Sequence, residues 1–397
     1  MQPDYPAASS PGSQSANPIR TLFPVFLYFL AAGVATVMLG PLLPSLIQRW
    51  RIQDAQAGTL FTASFAGQFC GAWFATRNLR ASILLGSAIT AAGSAAMAWV
   101  DFDLAHIALF CVGIGLGAGL TAGNVIAGTT IPSARARLIA MLNVTWGLGA
   151  IACPVLVRLS STGGNQRFFF ATAFILAVTS LVSIAIPRVS ATTQQLESSS
   201  RPATHTRMPL PPLPLFVFGA GIFLYVGVEN SLGGWLPSYA VRTNPGLHAS
   251  SIAIYFWMAE LTGRIFVTAV LSVFGETALY RLCLLLLIAT QILLCATAHI
   301  SPTGIVTLTV LAALSLAPLY PLIISFLLAR TGNHARLGAL FATASFGGAT
   351  LPWLTGVFST QFQSLRAGLI VPAAGSALLL FLSTVLTAKA APLSPRE

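Results

Sequence analysis

Charge is what this chain is short of. Only 7% of its 397 residues are charged and 55% are apolar, whereas a soluble protein carries roughly 25% charged residues. A soluble globular fold is excluded. The net charge of +11 would suggest nucleic acid in a soluble protein, but the basic residues stand singly between apolar runs. No basic run is interleaved with aromatics, so no nucleic-acid partner is expected; the spacing fits membrane topology. Cysteine is also scarce. Cys70, Cys111, Cys153, Cys283 and Cys295 all lie in apolar runs without CxxC or Cys/His spacing. They read as small packing residues, and neither metal nor cofactor is expected. The N-terminus lacks the short basic region and cleavage site of a signal peptide, so the first apolar segment is expected to be kept.

Long apolar runs are what the chain has. A membrane span needs about 20 mostly apolar residues, and twelve such segments can be marked: 21–46, 56–76, 81–100, 104–131, 138–158, 168–187, 214–240, 250–273, 281–300, 304–329, 337–360 and 367–388. A Pro/Ser/Thr-rich stretch from Arg188 to Pro212 separates the two sets of six. The expected organisation is a disordered cytoplasmic tail (1–18), a six-helix bundle (19–187), a cytoplasmic linker (188–212), a second bundle (213–388) and a short cytoplasmic tail (389–397). With the termini in the cytoplasm, thirteen basic residues fall on that side, six fall on the other, and Arg264 lies within a span. This bias supports that orientation. A repeat agrees with it. ARLIAMLNVTWGLGAIACP starts at Ala136 and ARLGALFATASFGGATLP at Ala335, an offset of 199 residues (335 minus 136), with Gly149-Ala150 matching Gly348-Ala349. Half-length repeats are the mark of transporters whose site lies between two homologous halves.

The polar residues inside the spans carry the functional question. Tyr225 to Tyr239 reads YVGVENSLGGWLPSY and places Glu229 and Asn230 in an apolar segment. An ionisable group at such depth faces a cavity or a partner. No charged residue lies close to Glu229 in sequence, so it reads as the unpaired acid of the spans. Glu260 and Arg264, at i and i+4, share one helix face and read as an ion pair, structural or gating. Asn124 and Asn143 can bond a neighbouring helix or a hydroxylated ligand. Gly115, Gly119 and Gly123 recur every four residues, the small-xxx-small pattern of close helix packing. The nearby dinucleotide-like glycine pattern is rejected, because a strand, a turn and an exposed helix start do not fit within a span. Prolines are expected to break segment 1 (Pro41, Pro44), segment 7 (Pro237), segment 10 (Pro318, Pro321) and segment 11 (Pro352). A catalytic cluster is lacking: Asp101, Asp103 and His106 form a short loop that no second acid or histidine cluster answers.

With these motifs in place, the chain resembles the major facilitator superfamily over essentially its whole length. Within it, the resemblance is to the fucose–glucose–gluconate proton symporter group. It is carried by YVGVENSLGGWLPSY, FWMAELTGR, APLYP, FGGATLP and the glycine run ending at Asn124. The resemblance implies an all-α integral membrane fold of twelve transmembrane helices in two pseudo-symmetric six-helix bundles. It also implies a polar, ligand-facing Asn143 and places Glu229 and Trp235 in the segment 7 signature. Gly40 and Leu120 fall where the fucose symporter carries membrane acids, and Ala75 where the superfamily's loop acid falls.

The resulting expectation is a monomeric secondary transporter of a bacterial inner membrane, working by alternating access on a small polar solute, most plausibly a sugar. Asn124, Asn143 and Asn230 would hydrogen-bond the solute, and Trp146, Tyr225, Trp235 and Tyr320 would pack against it. Glu229 would carry a proton if transport is coupled to H+. An exporter of lipophilic, drug-like compounds is the alternative within transport. A membrane sensor or enzyme would need an effector domain or catalytic cluster that the sequence does not contain.

Overall fold

A computed structural model describes residues 18–387 except 76, 162–163, 188–211, 298 and 332–336. The terminal tails, nearly all of the central linker and the start of the second repeat string lie outside the described residues. The helices are α1 (Pro18–Val37), α2 (Leu39–Trp50), α3 (Asp54–Phe74), α4 (Leu79–Ala96), α5 (Phe102–Thr130), α6 (Arg135–Ser160) and α7 (Asn165–Ser183), then α8 (Pro212–Thr243), α9 (Ala249–Leu271), α10 (Glu276–Ala296), α11 (Pro302–Leu316), α12 (Leu319–Thr331), α13 (Leu337–Gln361), α14 (Leu365–Gly368) and α15 (Ile370–Leu386). Pairing α1 with α2, α11 with α12 and α14 with α15 gives twelve segments. Among the described residues, nine helices are long and apolar enough to cross a membrane.

Proline explains the broken segments, as the sequence suggested for segments 1 and 10 but not for segments 7 and 11. Pro41 cannot donate to Val37, and α1 ends there; Pro321 cannot donate to Ala317, and α11 stops one residue earlier. The expected breaks at Pro237 and Pro352 do not occur, because both lie inside continuous helices. Instead Pro372, which the sequence reading passed over, leaves the Gly368 carbonyl without its i+4 donor where α14 ends.

The two halves repeat one packing scheme. In the first, α1 lies on α6, α3 on α5 and α4 on α7; in the second, α8 lies on α13, α9 on α11 and α10 on α15. Glycine makes the closest of these contacts possible. A Cβ on Gly149 would overlap the Leu30 carbonyl, and one on Gly347, one residue before the Gly348 that the repeat aligns with Gly149, would overlap that of Phe223, so both segments dock through a glycine. In α5, a Cβ on Gly113 or Gly117 would strike α3, and one on Gly119 would strike the ring of Tyr28, whose hydroxyl donates to the Gly115 carbonyl at 2.8 Å. The glycine run is a packing surface on two sides. The expected loop is the start of α5: Asp101 caps the helix by accepting from the Leu104 amide, Asp103 lies in its first turn, and His106 bonds Thr59.

The halves meet where α3 runs along α13, where α6 crosses α9, and where α2 packs on α8.

Candidate functional site

The site forms where α8, α9 and α12 of the second half face α6 of the first. Tyr225 and Glu229 are one turn apart on α8, and Glu260 and Arg264 one turn apart on α9, so each helix presents two polar groups on one face. Arg264 Nη2 donates to Glu229 Oε1 and to Glu260 Oε1, each at 2.5 Å, and approaches the Tyr225 hydroxyl at 3.1 Å. The Tyr225 hydroxyl donates to Glu229 Oε1 at 2.7 Å. Tyr320 stacks its ring 5.3 Å from that of Tyr225. From the other half, Trp146 lies 5.9 Å under the Arg264 guanidinium and meets Trp257 edge-on at 5.8 Å. The Arg264 side chain keeps 22% exposure while that of Glu260 keeps 1%. Arg264 is thus the most exposed of the three charged side chains, ahead of Glu229 at 11%.

This corrects the reading of Glu229. It is not an unpaired acid, because α9 brings Arg264 against it from 35 residues away in sequence. Buried charges are held by such pairing and hydrogen bonding. The Glu260–Arg264 pair is present as expected, but it is one side of a three-member charge cluster.

The other candidates divide. Trp146, Tyr225 and Tyr320 join the cluster. Asn124, Asn143 and Asn230 each turn an amide N–H back to the carbonyl four residues earlier, at 3.0, 3.0 and 2.9 Å. Their Oδ1 atoms are left as acceptors. Asn143 is exposed one turn from Trp146, and the other two are half-buried. Trp235 is not a cavity aromatic: it is fully buried, its Nε1 donates to the Pro352 carbonyl at 2.9 Å, and its ring packs 6.3 Å from Phe61. Trp257, which the sequence reading missed, sits inside the quoted FWMAELTGR string, so the signal was on hand.

A second charged site was also missed. Asp54 opens α3 and Arg242 lies near the end of α8; their side chains form a two-pronged pair at 2.6 and 2.7 Å. Ser359 of α13 donates to the same carboxylate, and Thr360 accepts from the Ala55 amide at 2.8 Å. All four contacts join one half to the other at the end of the bundle opposite the described chain termini. Beside them opens a cavity of about 850 Å³ whose lining includes Asn244, His299 and Arg366. Residues 188 positions apart leave no local sequence signal of such a contact.

A helical membrane protein built of two like halves, with a charge cluster between them, defines the class of transporters that work at a bundle interface. The sequence profile of the Major Facilitator Superfamily matches residues 25–337, and the chain belongs to that superfamily of transporters. It is 26% identical over 363 residues to the glucose/mannose transporter GlcP of Bacillus subtilis (strain 168), covering 83% of this chain and 86% of that one. Its fold is similar to that of a bacterial homologue of the human lysosomal transporter Spinster, inward-facing, at 15% identity and TM-score 0.73, covering 95% and 98% of the two chains. It is also similar to that of the fucose:proton symporter FucP of E. coli, at 16% identity and TM-score 0.58, covering 93% and 98%.

Proposed function

We propose that this transporter moves a small polar solute, a sugar or sugar-like compound, across the cell inner membrane by alternating access, coupled to protons through the cluster around Glu229. The observation that carries the reading is the cluster itself. Two carboxylates, a guanidinium and a phenol from the second half lie against an aromatic of the first, where a solute would touch both. Sugars present hydroxyls that both donate and accept, and apolar ring faces that stack on aromatics. Arg264 supplies donors, the Oδ1 atoms of Asn143 and Asn230 supply acceptors, and Trp146 and Tyr320 supply ring faces. The GlcP relative supports the sugar class, and the likeness to FucP fits proton coupling. Both termini lie in the cytoplasm in this reading, the bundles span 19–187 and 213–388, and the protein acts as a monomer. Asp54, Arg242 and Ser359 then close the outer face, and the site opens inward.

The test is uptake by proteoliposomes of labelled glucose, mannose, fucose and xylose, with and without a proton gradient, beside a lipophilic-dye efflux assay. Saturable uptake of one sugar, displaced by its unlabelled form, is expected. Dye movement with no sugar uptake would replace this reading with that of an exporter, which the 25 phenylalanines also suit.

A further inference from the structure

The cluster holds two carboxylates and one guanidinium, and the two acids are placed differently. The Glu229 side chain keeps 11% exposure, and its Oε1 accepts from both Tyr225 and Arg264. Glu260 is buried to 1%. Its Oε1 takes Arg264 at 2.5 Å and a long 3.5 Å contact from Tyr225, while its Oε2 is buried with no hydrogen-bond donor among the described residues.

Among the described residues, no further charge balances the cluster. On α8 the facing groups are Tyr225 and Glu229, on α9 Arg264, and on α12 Tyr320. From α6 comes Trp146, which is uncharged, and α11, which packs on α9, has no titratable residue. The charge of α2, Arg49, is spent on the carbonyls of Met97, Ala98 and Val100. One guanidinium neutralises one carboxylate. An ionised oxygen without a donor in a buried site is far costlier than a neutral carboxyl oxygen in the same place.

We propose that Glu260, not Glu229, is the residue that binds the exchangeable proton, at Oε2, and that Glu229 stays ionised as the standing counter-ion of Arg264. Glu260 takes the proton as its carboxylate becomes the carboxylic acid, and Arg264 is then held by Glu229 and Tyr225. On release, Arg264 must serve both acids. Trp257 Nε1, three residues earlier on α9, is likewise buried without an acceptor, a donor held one turn from the ionised carboxylate. Only the use of this proton for transport rests on the function proposed above.

The experiment is infrared spectroscopy of the purified full chain in liposomes, following the C=O stretch of protonated carboxyl groups through a pH titration. No substrate is needed. Beside the bands of the other acidic groups, wild-type protein is expected to show a titrating band that Glu260→Gln removes. Glu229→Gln should keep the band and move its midpoint to lower pH by at least about one unit, a tenfold loss of proton affinity, because Arg264 then serves Glu260 alone. A band unchanged in Glu260→Gln, or absent from the wild type, overturns the assignment. If Glu260→Gln does not fold, Glu260→Asp carries the test: a shifted midpoint supports the proposal and an unshifted one refutes it. Proton uptake driven by glucose, mannose, fucose or xylose is measured on the same vesicles. Its absence beside a band that obeys these rules ends the coupled-sugar reading and leaves the proton site standing.

Discussion

Breaking the Asp54–Arg242 contact should open the end of the bundle that it closes, and the two partners should differ in effect. Asp54 is nearly buried, with a side-chain exposure of 9%, whereas Arg242 keeps 41%. Arg242→Ala leaves a buried carboxylate with only the Ser359 hydroxyl. Asp54→Ala leaves a guanidinium that water already reaches. Losing one partner of a buried pair costs roughly 3–5 kcal/mol, and an exposed pair is worth about 0–1 kcal/mol. Arg242→Ala should lie between these, at about 2 kcal/mol, and Asp54→Ala at about 1 kcal/mol. At about 1.4 kcal/mol per factor of ten, these shift the closed-to-open ratio roughly 30-fold and 5-fold. A state closed about a hundred to one would then be open about a quarter of the time in Arg242→Ala. Pulsed electron resonance reads this from spin labels on cysteines at Ser161 and Gly246, both exposed at that end on opposite halves, with the five native cysteines replaced. A longer-distance population should grow in the order wild type, Asp54→Ala, Arg242→Ala. The reverse order, or no growth in either variant, would refute the reasoning.

Other substitutions test the neighbouring contacts. Trp235→Phe keeps an aromatic ring but loses the bond to the Pro352 carbonyl; it should lower stability by about 1 kcal/mol in a thermal melt and leave solute affinity unchanged. Arg264→Ala faces two buried acids with no cation and should cost about 3–5 kcal/mol, seen as a lower melting temperature. Arg264→Lys should restore only part of that loss, since one ammonium lacks the guanidinium's planar fork. Gly40→Leu places a side chain where even a Cβ would overlap the Gly233 carbonyl. The labels at Ser161 and Gly246 should then report an open end in most molecules, with transport lost.

Length, apolar runs and the half-length repeat made the architecture legible, because a bilayer restricts a spanning chain to helices of known length. Local chemistry was legible to the same degree: Glu260 and Arg264, four residues apart, were readable as a pair. Partners on different helices were not. Glu229 read as alone because Arg264 lies one helix further on, and Arg242 counted only toward orientation, with Asp54 passed over, because the packing that joins them involves three helices. Trp235 misled for a related reason. In a segment with buried polar residues, an indole suits a cavity wall as well as a helix junction, and only the Pro352 carbonyl decides. That carbonyl belongs to a proline whose helix was expected to break and did not.

The charge cluster and the far-end contact share one element. Glu229 and Arg242 are both on α8, 13 residues apart (242 minus 229), which is about 20 Å along a helix. Between them Pro237 withholds the donor that the Gly233 carbonyl would use, freeing that oxygen. It is the same oxygen that the backbone of Gly40 approaches from the other half, so closely that a Cβ there would overlap it. α8 thus meets Arg264 at one level, α2 at a second and Asp54 at a third, without a break in the helix. Its partners in the first half are split between α2 and α3. α8 is one helix from Glu229 to Arg242, whereas the elements it meets in the first half are separate helices. The lack of an acid at Gly40 fits the same geometry: a carboxylate side chain there would overlap the Gly233 carbonyl.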